Sequence, residues 1–381
     1  MTVVVLVSAA VSAIILLLHI ALAAGVLMNF ARERRMRAGG ETVCALRPEV
    51  IVAVRNEERT LPALLDALRA QNAPDCLFLF VDDRSSDATP RLLDGFCAEQ
   101  GERARVIYNR EEPVGLTGKQ AALDLGFFHA RGDVLLFTDG DCVLPPLWVK
   151  EMLGHFQDPR VGVVLGRIEL PQGRTFLQRF QAFEQPLINQ YNFGSAGIGL
   201  PTGCFGNNMA IRTRAVVETG GFKSLGYSVT EDALLLDAVS RTGKWKVRAC
   251  TSQQSAVITR AMQSWKEYVD QHTRWNAGAL FSPDLVSRLL YIFVVLIYLV
   301  GSLLIVPLSV IDWRVILITL NSYLSIGLLA FLNGVYPGKR HARYFLLFLP
   351  YLLFFEFFYS FITLRAFFRR PFTWKGASLR A

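Results

Sequence analysis

The sequence predicts an α/β domain built on a mostly parallel sheet, with apolar helices at both ends long enough to cross a membrane. Three observations predict it. Short β-branched runs alternate with helical apolar spacing from Glu49 to Thr138. Charged residues gather where those runs end. The apolar residues, 52% of a 381-residue chain with mean hydropathy +0.33, are concentrated toward the termini. A chain of this length has room for a full-sized core and further segments.

The first segment, Val3 to Phe30, is predominantly apolar and exceeds the roughly 20 residues a helix needs to span a bilayer. No basic residue precedes it, whereas Arg32, Arg34, Arg35 and Arg37 follow. That order marks an uncleaved anchor rather than a leader peptide. It also places the following domain in the cytosol, because basic flanks stay inside.

Next come the elements of the sheet. Glu49–Val54 (EVIVAV) reads as a strand, and Arg59–Gln71 as a helix with Leu61, Leu64, Leu65 and Leu68 on one face. Leu77–Asp83 (LFLFVDD) is a buried strand, and Ser86–Glu99 a helix. Val106–Asn109 is a strand, Lys119–Ala130 a helix and Val134–Thr138 a fourth strand. Alternation of this kind implies right-handed crossovers and a parallel sheet covered on both faces. Ligands of such sheets sit beyond the carboxyl ends of the strands. Arg55, Asn56 and Glu57, Asp82 and Asp83, and Asp139 and Asp141 all fall at those ends.

Three apolar runs close the chain: Leu289–Ile311, Val315–Leu332 and Tyr344–Phe367, the last interrupted by Pro350 and Glu356. A basic loop, Gly338–Arg343, lies between the second and third, and the tail carries Arg365, Arg369, Arg370, Lys375 and Arg380. With the domain inside, three full spans leave that basic tail outside, against the positive-inside rule. A last segment that is re-entrant or interfacial, broken near Pro350, resolves the conflict; a tail that is truly outside is the alternative. The expected organisation is an anchor over 1–30, a cytosolic domain over 45–260, an amphipathic interfacial helix over 261–283, a transmembrane region of two to three spans over 288–367, and a basic tail over 368–381.

Other readings fall away. Much of the excess behind the net charge of +8 flanks the apolar spans, where it orients them, and does not suggest nucleic acid. Six cysteines at 44, 76, 97, 142, 204 and 250 contain no CxxC pair, so neither a zinc motif nor a disulfide framework is indicated. "GLTGKQ" (115–120) resembles a phosphate loop, but its required first glycine is Pro113; "GSAGIG" (194–199) has the wrong spacing for a dinucleotide loop.

Five motifs occur in order: "VAVRNEE" (52–58), "VDDRSSD" (81–87), "TDGDC" (138–142), "VTEDALL" (229–235) and "QHTRW" (271–275). Together they resemble the family 2 glycosyltransferases, with their nucleotide-binding Asp, DxD, TED and QxxRW motifs. The resemblance runs from about Glu49 to Trp275. It implies a GT-A (Rossmann-like) nucleotide-diphospho-sugar transferase fold, a nucleotide-sugar donor, a divalent metal and inversion at the anomeric carbon. "TWKGA" (373–377) resembles the W-K-G tail of lipid-directed members, with Ala377 replacing the usual basic residue.

The chemistry explains the residue types. A leaving diphosphate develops negative charge that Mg²⁺ or Mn²⁺ can neutralise, and such hard cations take carboxylate oxygens. Asp139 and Asp141 supply them; in a strand, residues i and i+2 share a side, and Gly140 permits close backbone approach. By the resemblance, Asp141 is the direct metal ligand, and Asp139 faces ribose or the metal through water. An Asp-Gly turn is the structural alternative. By the resemblance, Asp83, with Asp82 close behind, would accept a hydrogen bond from uracil or ribose; the alternative is a helix cap, a job that Asp87 with Ser85 and Ser86 already fits. Lys119 would sit near the diphosphate, or else be a solvated residue of a first helical turn. Asp232 would be the general base, or a helix cap.

Gln271, Arg274 and Trp275 fall at i, i+3 and i+4 on one helix face. Arg274 would grip diphosphate oxygens in a fork, and Trp275 would offer a surface to the acceptor. Trp265, Tyr268, His272 and Trp275 form a stripe that also reads as interfacial. Phe176, Phe180, Phe183, Leu187 and Tyr191 form a second stripe, read first as core. His272, without an evident metal partner, is read as structural. The expected function is transfer from a UDP-sugar to a membrane lipid. The alternatives are a processive polysaccharide synthase, for which the few spans leave little room for a channel, and a non-catalytic membrane scaffold.

Overall fold

Seven strands form the main sheet: β1 (Pro48–Val54), β2 (Leu77–Asp83), β3 (Ala104–Asn109), β4 (Val134–Asp139), β5 (Val161–Leu165), β7 (Met209–Arg212) and β8 (Lys246–Ala249). The computed structural model describes residues 3–38, 44–111, 115–116, 118–171, 173–282, 285–332, 354, 358–368, 372–374 and 377–379. The order is β3-β2-β1-β4-β7-β5-β8. β1 pairs in parallel with β2 and β4, and β2 with β3, as right-handed crossovers require. Only β7 runs against its neighbours β4 and β5, so the sheet is mostly parallel. A small second sheet joins β6 (Ile168–Glu169) to β9 (Val257–Ile258).

Burial follows from apolarity on both strand faces: every residue of β2 is buried, including Asp82 and Asp83 at its end. Helix α2 (Leu61–Arg69) buries Leu61, Leu64, Leu65 and Leu68, the residues its spacing selects. With Val50, Phe80 and Phe96, they join one continuous apolar core. Helix α3 begins at Thr89, three residues after the expected Ser86. The reason is local: Ser85 and Ser86 donate their backbone N–H groups to Asp82 and Asn56, and Asp87 Oδ1 accepts from Thr89 N at 3.0 Å. Those residues are committed to the loop, and Pro90 suits a first helical turn. Helix α4 (Gly118–His129) follows β3, and the shorter, two-turn helices α5 (Trp148–Gly154) and α7 (Thr213–Thr219) flank β5 and β7.

The chain divides into two compact units: Met28–Pro171 with Ser195–Arg260, and Met1–Leu27 with Gln172–Gly194 and Ala261–Ala381. The sheet and its helices belong to the first. The second is mostly helical. Helix α1 (Val3–Ala38) continues two turns past the expected end at Phe30, carrying Arg32 to Arg37 in helix, and is shared between the units. Among the described residues it is the one helix long and apolar enough to cross a membrane. α11 (Leu285–Ile311) and α12 (Arg314–Leu332) coincide with the next two apolar runs. Residues 358–367 are helical. The basic loop 338–343, Pro350, Glu356 and tail residues 369–371, 375–376 and 380–381 lie outside the described residues.

Within that second unit, α1 meets α6 (Phe176–Gly197) closely. A Cβ on Gly25 would stand 2.0 Å from the Gly194 carbonyl oxygen, so both helices need glycine there. Tyr191 Oη lies 2.9 Å from His19 Nε2. Phe180 and Phe183 are fully buried, as a core stripe requires, while Phe176 is half exposed.

Candidate functional site

The strand order reverses between β1 and β4, which makes the crevice beyond their carboxyl ends the place where a parallel sheet opens to a ligand. Register brings the acids there: Val54 of β1 is opposite Asp82, and Ala53 is opposite Asp139. The loops after β1 and β2 lock together through Asn56 N to Ser85 Oγ (3.0 Å) and Ser86 N to Asn56 Oδ1 (2.8 Å). Asn56 and Arg84 both hold positive φ, 54° and 59°, a conformation that non-glycine residues keep only when the surroundings enforce it.

Asp83 is buried and held by Arg84 Nε and Asn109 Nδ2, at 3.0 and 2.9 Å, with Arg55 at 3.8 Å. Asp82 accepts from Ser85 N, while its Oδ1 is buried without a partner. Burial pushes its pKa up, and neighbouring Asp83 adds to the effect, against the Ser85 hydrogen bonds.

Lys119, in the first turn of α4, is not solvated but only 19% exposed. Its Nζ lies 2.6 Å from Asp139 Oδ1 and 3.6 Å from Glu231 Oε1. Burial would lower its pKa, but Asp139, Glu231 and Asp232 outweigh that and hold the ammonium above its ordinary value.

Asp139 is the last residue of β4, and Asp141 is past it, in a turn closed by Cys142 N to Asp139 O at 3.1 Å. The expectation that strand geometry aims both carboxylates alike is therefore corrected, because the strand ends between them. Gly140 is corrected too. A Cβ there would meet Glu57 Cγ at 3.1 Å and Val54 Cγ1 at 3.2 Å, so the close approach is of the β1 loop. The donor set still fits a hard cation: two carboxylates at one strand end, one already holding an ammonium at 2.6 Å.

Helix α9 (Glu231–Arg241) already includes Asp232 in its first turn, so Asp232 is not its N-cap; Thr230 is, and it makes no side-chain cap hydrogen bond. Asp232 Oδ2 accepts from Gly206 N at 2.7 Å and Oδ1 from Ala233 N at 2.9 Å. Burial pushes the Cys204 thiol well up, and the Asp232 carboxylate it touches adds to this. The loop Gly203–Asn208 thus cradles Asp232.

In the sheet unit the structure brings Asp82, Asp83, Lys119, Asp139, Asp141 and Asp232 to one end. Gln271, Arg274 and Trp275 belong to the other unit, on α10 (Trp265–Leu280), where they share the half-buried side. The adjoining, buried side holds His272, whose Nε2 lies 3.0 Å from buried Glu184 Oε1; Tyr268 Oη donates to the same oxygen at 2.8 Å. The His272 and Trp275 rings are 4.7 Å apart. Sequence reasoning reached Cys204 and Gly206 only as part of the Gly/Asn-rich loop Gly203–Arg212, expected by the family resemblance to line the acceptor side, and missed Glu231 and Glu184. The Thr-Glu-Asp cluster signals Glu231; nothing in the chain pattern signals Glu184.

Two family models match: "Glycosyl transferase family 2" over residues 49–218 and "Glycosyl transferase family group 2" over 134–362. A beta-monoglucosyldiacylglycerol synthase of Synechocystis sp. is 26% identical over 60% of this chain and 47% of its own. An undecaprenyl-phosphate 4-deoxy-4-formamido-L-arabinose transferase of Pseudomonas fluorescens is 37% identical over 26% of this chain and 28% of its own. The chain thus spans less than half the length of these curated relatives. A mannosyltransferase from Pyrobaculum calidifontis, solved with GDP-Man and Mn²⁺, superposes with a TM-score of 0.54 at 15% identity, covering 95% of this chain and 99% of that one; the GT-A fold is shared.

Proposed function

The chain belongs to the family 2 glycosyl transferases, and on that premise we propose that it moves a sugar from a UDP-sugar to a membrane lipid with inversion. The observation that carries this is Lys119, held between Asp139 and Glu231 beside Asp232 at the strand-order reversal. Asp83, with Asp82, receives the nucleoside. Asp139 and Asp141 would hold Mg²⁺ or Mn²⁺, which would supply positive charge against the leaving diphosphate. Lys119 adds a second cation to the same end.

Asp232 takes the proton of the acceptor hydroxyl as its oxygen attacks the anomeric carbon. One displacement assisted by one base inverts configuration. On α10, Gln271, Arg274 and Trp275 keep the roles that the family resemblance implies, Arg274 toward diphosphate oxygens and Trp275 toward the acceptor. α1 anchors the chain with the sheet domain (45–260) in the cytosol, and α11 and α12 are further spans. The lipid reading is supported by relatives named for diacylglycerol, undecaprenyl-phosphate and dolichyl-phosphate substrates.

Membranes holding the full chain, incubated with a panel of labelled nucleotide sugars and Mg²⁺ or Mn²⁺, test this. Label in extractable lipid is expected, lost in Asp232→Asn and strongly reduced in Asp141→Asn. Long polymer would replace the lipid reading with a processive synthase. Transfer from no donor would overturn both.

A further inference from the structure

Away from the crevice, three metal-ligating side chains from distant parts of the chain meet in the interior of the sheet unit. Glu33 lies in the last part of α1, His155 in the one-turn helix His155–Gln157 after α5, and Cys250 directly after β8. They are 5%, 9% and 0% exposed. A carboxylate oxygen, a ring nitrogen and the Sγ all lie within 4.8 Å of one another. None of these residues has a role in sugar transfer.

We propose that Glu33, His155 and Cys250 form a binding site for a borderline transition-metal ion of the zinc class. The ion pins the C-terminal end of α1 to the β8 edge of the sheet.

The donor set is one oxygen, one nitrogen and one sulfur, which suits a borderline ion and not the hard cation of the Asp139–Asp141 site. Tetrahedral zinc, with bonds of about 2.0–2.3 Å, spaces its ligand atoms about 3.3–3.8 Å apart. Small side-chain rotations close the present spacing onto an ion. His155 Nε2 is buried with no hydrogen-bond partner, an orphan that native interiors rarely tolerate.

The surroundings orient the carboxylate as outer groups orient metal ligands. Glu33 Oε2 accepts from Thr251 N at 2.7 Å and from the Thr251 hydroxyl; Oε1 accepts from Arg37 Nη2 at 2.9 Å. Arg37 also reaches Glu151 at 2.8 Å. On binding, the Cys250 thiol loses its proton to solvent and becomes the thiolate ligand. The ion then shares Glu33, Glu151 and that thiolate with Arg37 and with buried Arg167, whose charge also faces Glu33 and Cys250. Three protein ligands leave a fourth position for water or the second Glu33 oxygen.

The test uses the full chain in detergent, loaded with Co²⁺ and read by absorption, beside a metal analysis of the zinc-loaded protein after gel filtration. The expected result is one retained equivalent of zinc per chain. With Co²⁺, a thiolate-to-metal charge-transfer band appears that oxygen ligands cannot produce. Cys250→Ser should lose the band, and Asp141→Asn should keep it. If Cys250→Ser does not fold, Glu33→Gln read for a shifted cobalt spectrum serves instead. No band in the folded native chain, or a band that survives Cys250→Ser, overturns the site. Neither result depends on whether the chain transfers sugar.

Discussion

Gly206→Ala isolates the role of Asp232 without touching its carboxylate. The added Cβ would stand 2.8 Å from Asp232 Oδ2, where ordinary contact begins near 3.4 Å, so one of the two must move about 0.6 Å. The 2.7 Å hydrogen bond from Gly206 N weakens with that movement. Gly206 is not among the residues with positive φ, so alanine adds no backbone strain. A 1 Å misplacement of a reacting group can cost about a hundredfold. The expected loss is therefore about 10- to 100-fold in kcat, or about 1.4–2.7 kcal/mol. KM for the donor should change little, because Asp83, Asp139 and Asp141 are not displaced. Initial rates of labelled sugar transfer in membranes measure both constants. The decisive control is the double variant: in an Asp232→Asn background, Gly206→Ala should add almost nothing, since both act on one group. Full additivity of the two losses, or a native kcat in Gly206→Ala, would refute the role of the loop.

Three further outcomes are expected. Lys119→Met leaves Asp139 and Glu231 without their shared cation and should lower kcat/KM for the donor by about 10- to 100-fold, the worth of one charged hydrogen bond of about 1.5–3 kcal/mol. Asp82→Asn should raise thermal stability at neutral pH. Its folded pKa is raised, chiefly by burial, so the native state disfavours the charge; the cost is absent below the unfolded value of about 3.9 and grows as pH rises through the folded one. The gain in Tm should fade in acid, and a gain independent of pH would contradict this. Glu49→Ala should cost about 3–5 kcal/mol, seen as a lowered Tm in detergent. Glu49 is fully buried and takes Arg105 Nη2 and Gly132 N, both at 2.7 Å, together with Arg131 N.

The elements of the sheet were readable because each is written locally. β2 is buried from end to end, so its seven residues had to be apolar up to the two acids that face the crevice. Once the strands are parallel, adjacent carboxyl ends bring Asp82 and Asp139 to either side of β1 without any further signal. What was not readable depends on partners far along the chain. His272 is satisfied by Glu184, 88 residues earlier. For Lys119 the sequence left a residue near the diphosphate and a solvated residue of a first turn open alike, because its enclosure involves Glu231 of α9, more than a hundred residues on. Glu33, His155 and Cys250 share no spacing that a motif could record, because three separate elements deliver them.

The Asp-Gly-Asp segment shows why a turn and a ligand site need not be rival readings. The turn exists: Cys142 N bonds to Asp139 O, and Asp141 leaves the strand line. It uses the backbone carbonyl of Asp139, so its carboxylate remains available, and that group grips Lys119 at 2.6 Å. The short side chain of an aspartate suits both tasks at once, closing the chain with its backbone while presenting an acid to the crevice. The same holds at Asp232, which lies in the first turn of α9, bonds the Ala233 amide, and still turns its other oxygen to Gly206. A capping or turn position fixes a carboxylate with little conformational freedom, which is the condition a metal ligand or a general base must meet. In this fold the local structural job and the proposed chemical one are therefore assigned to the same residues for one physical reason.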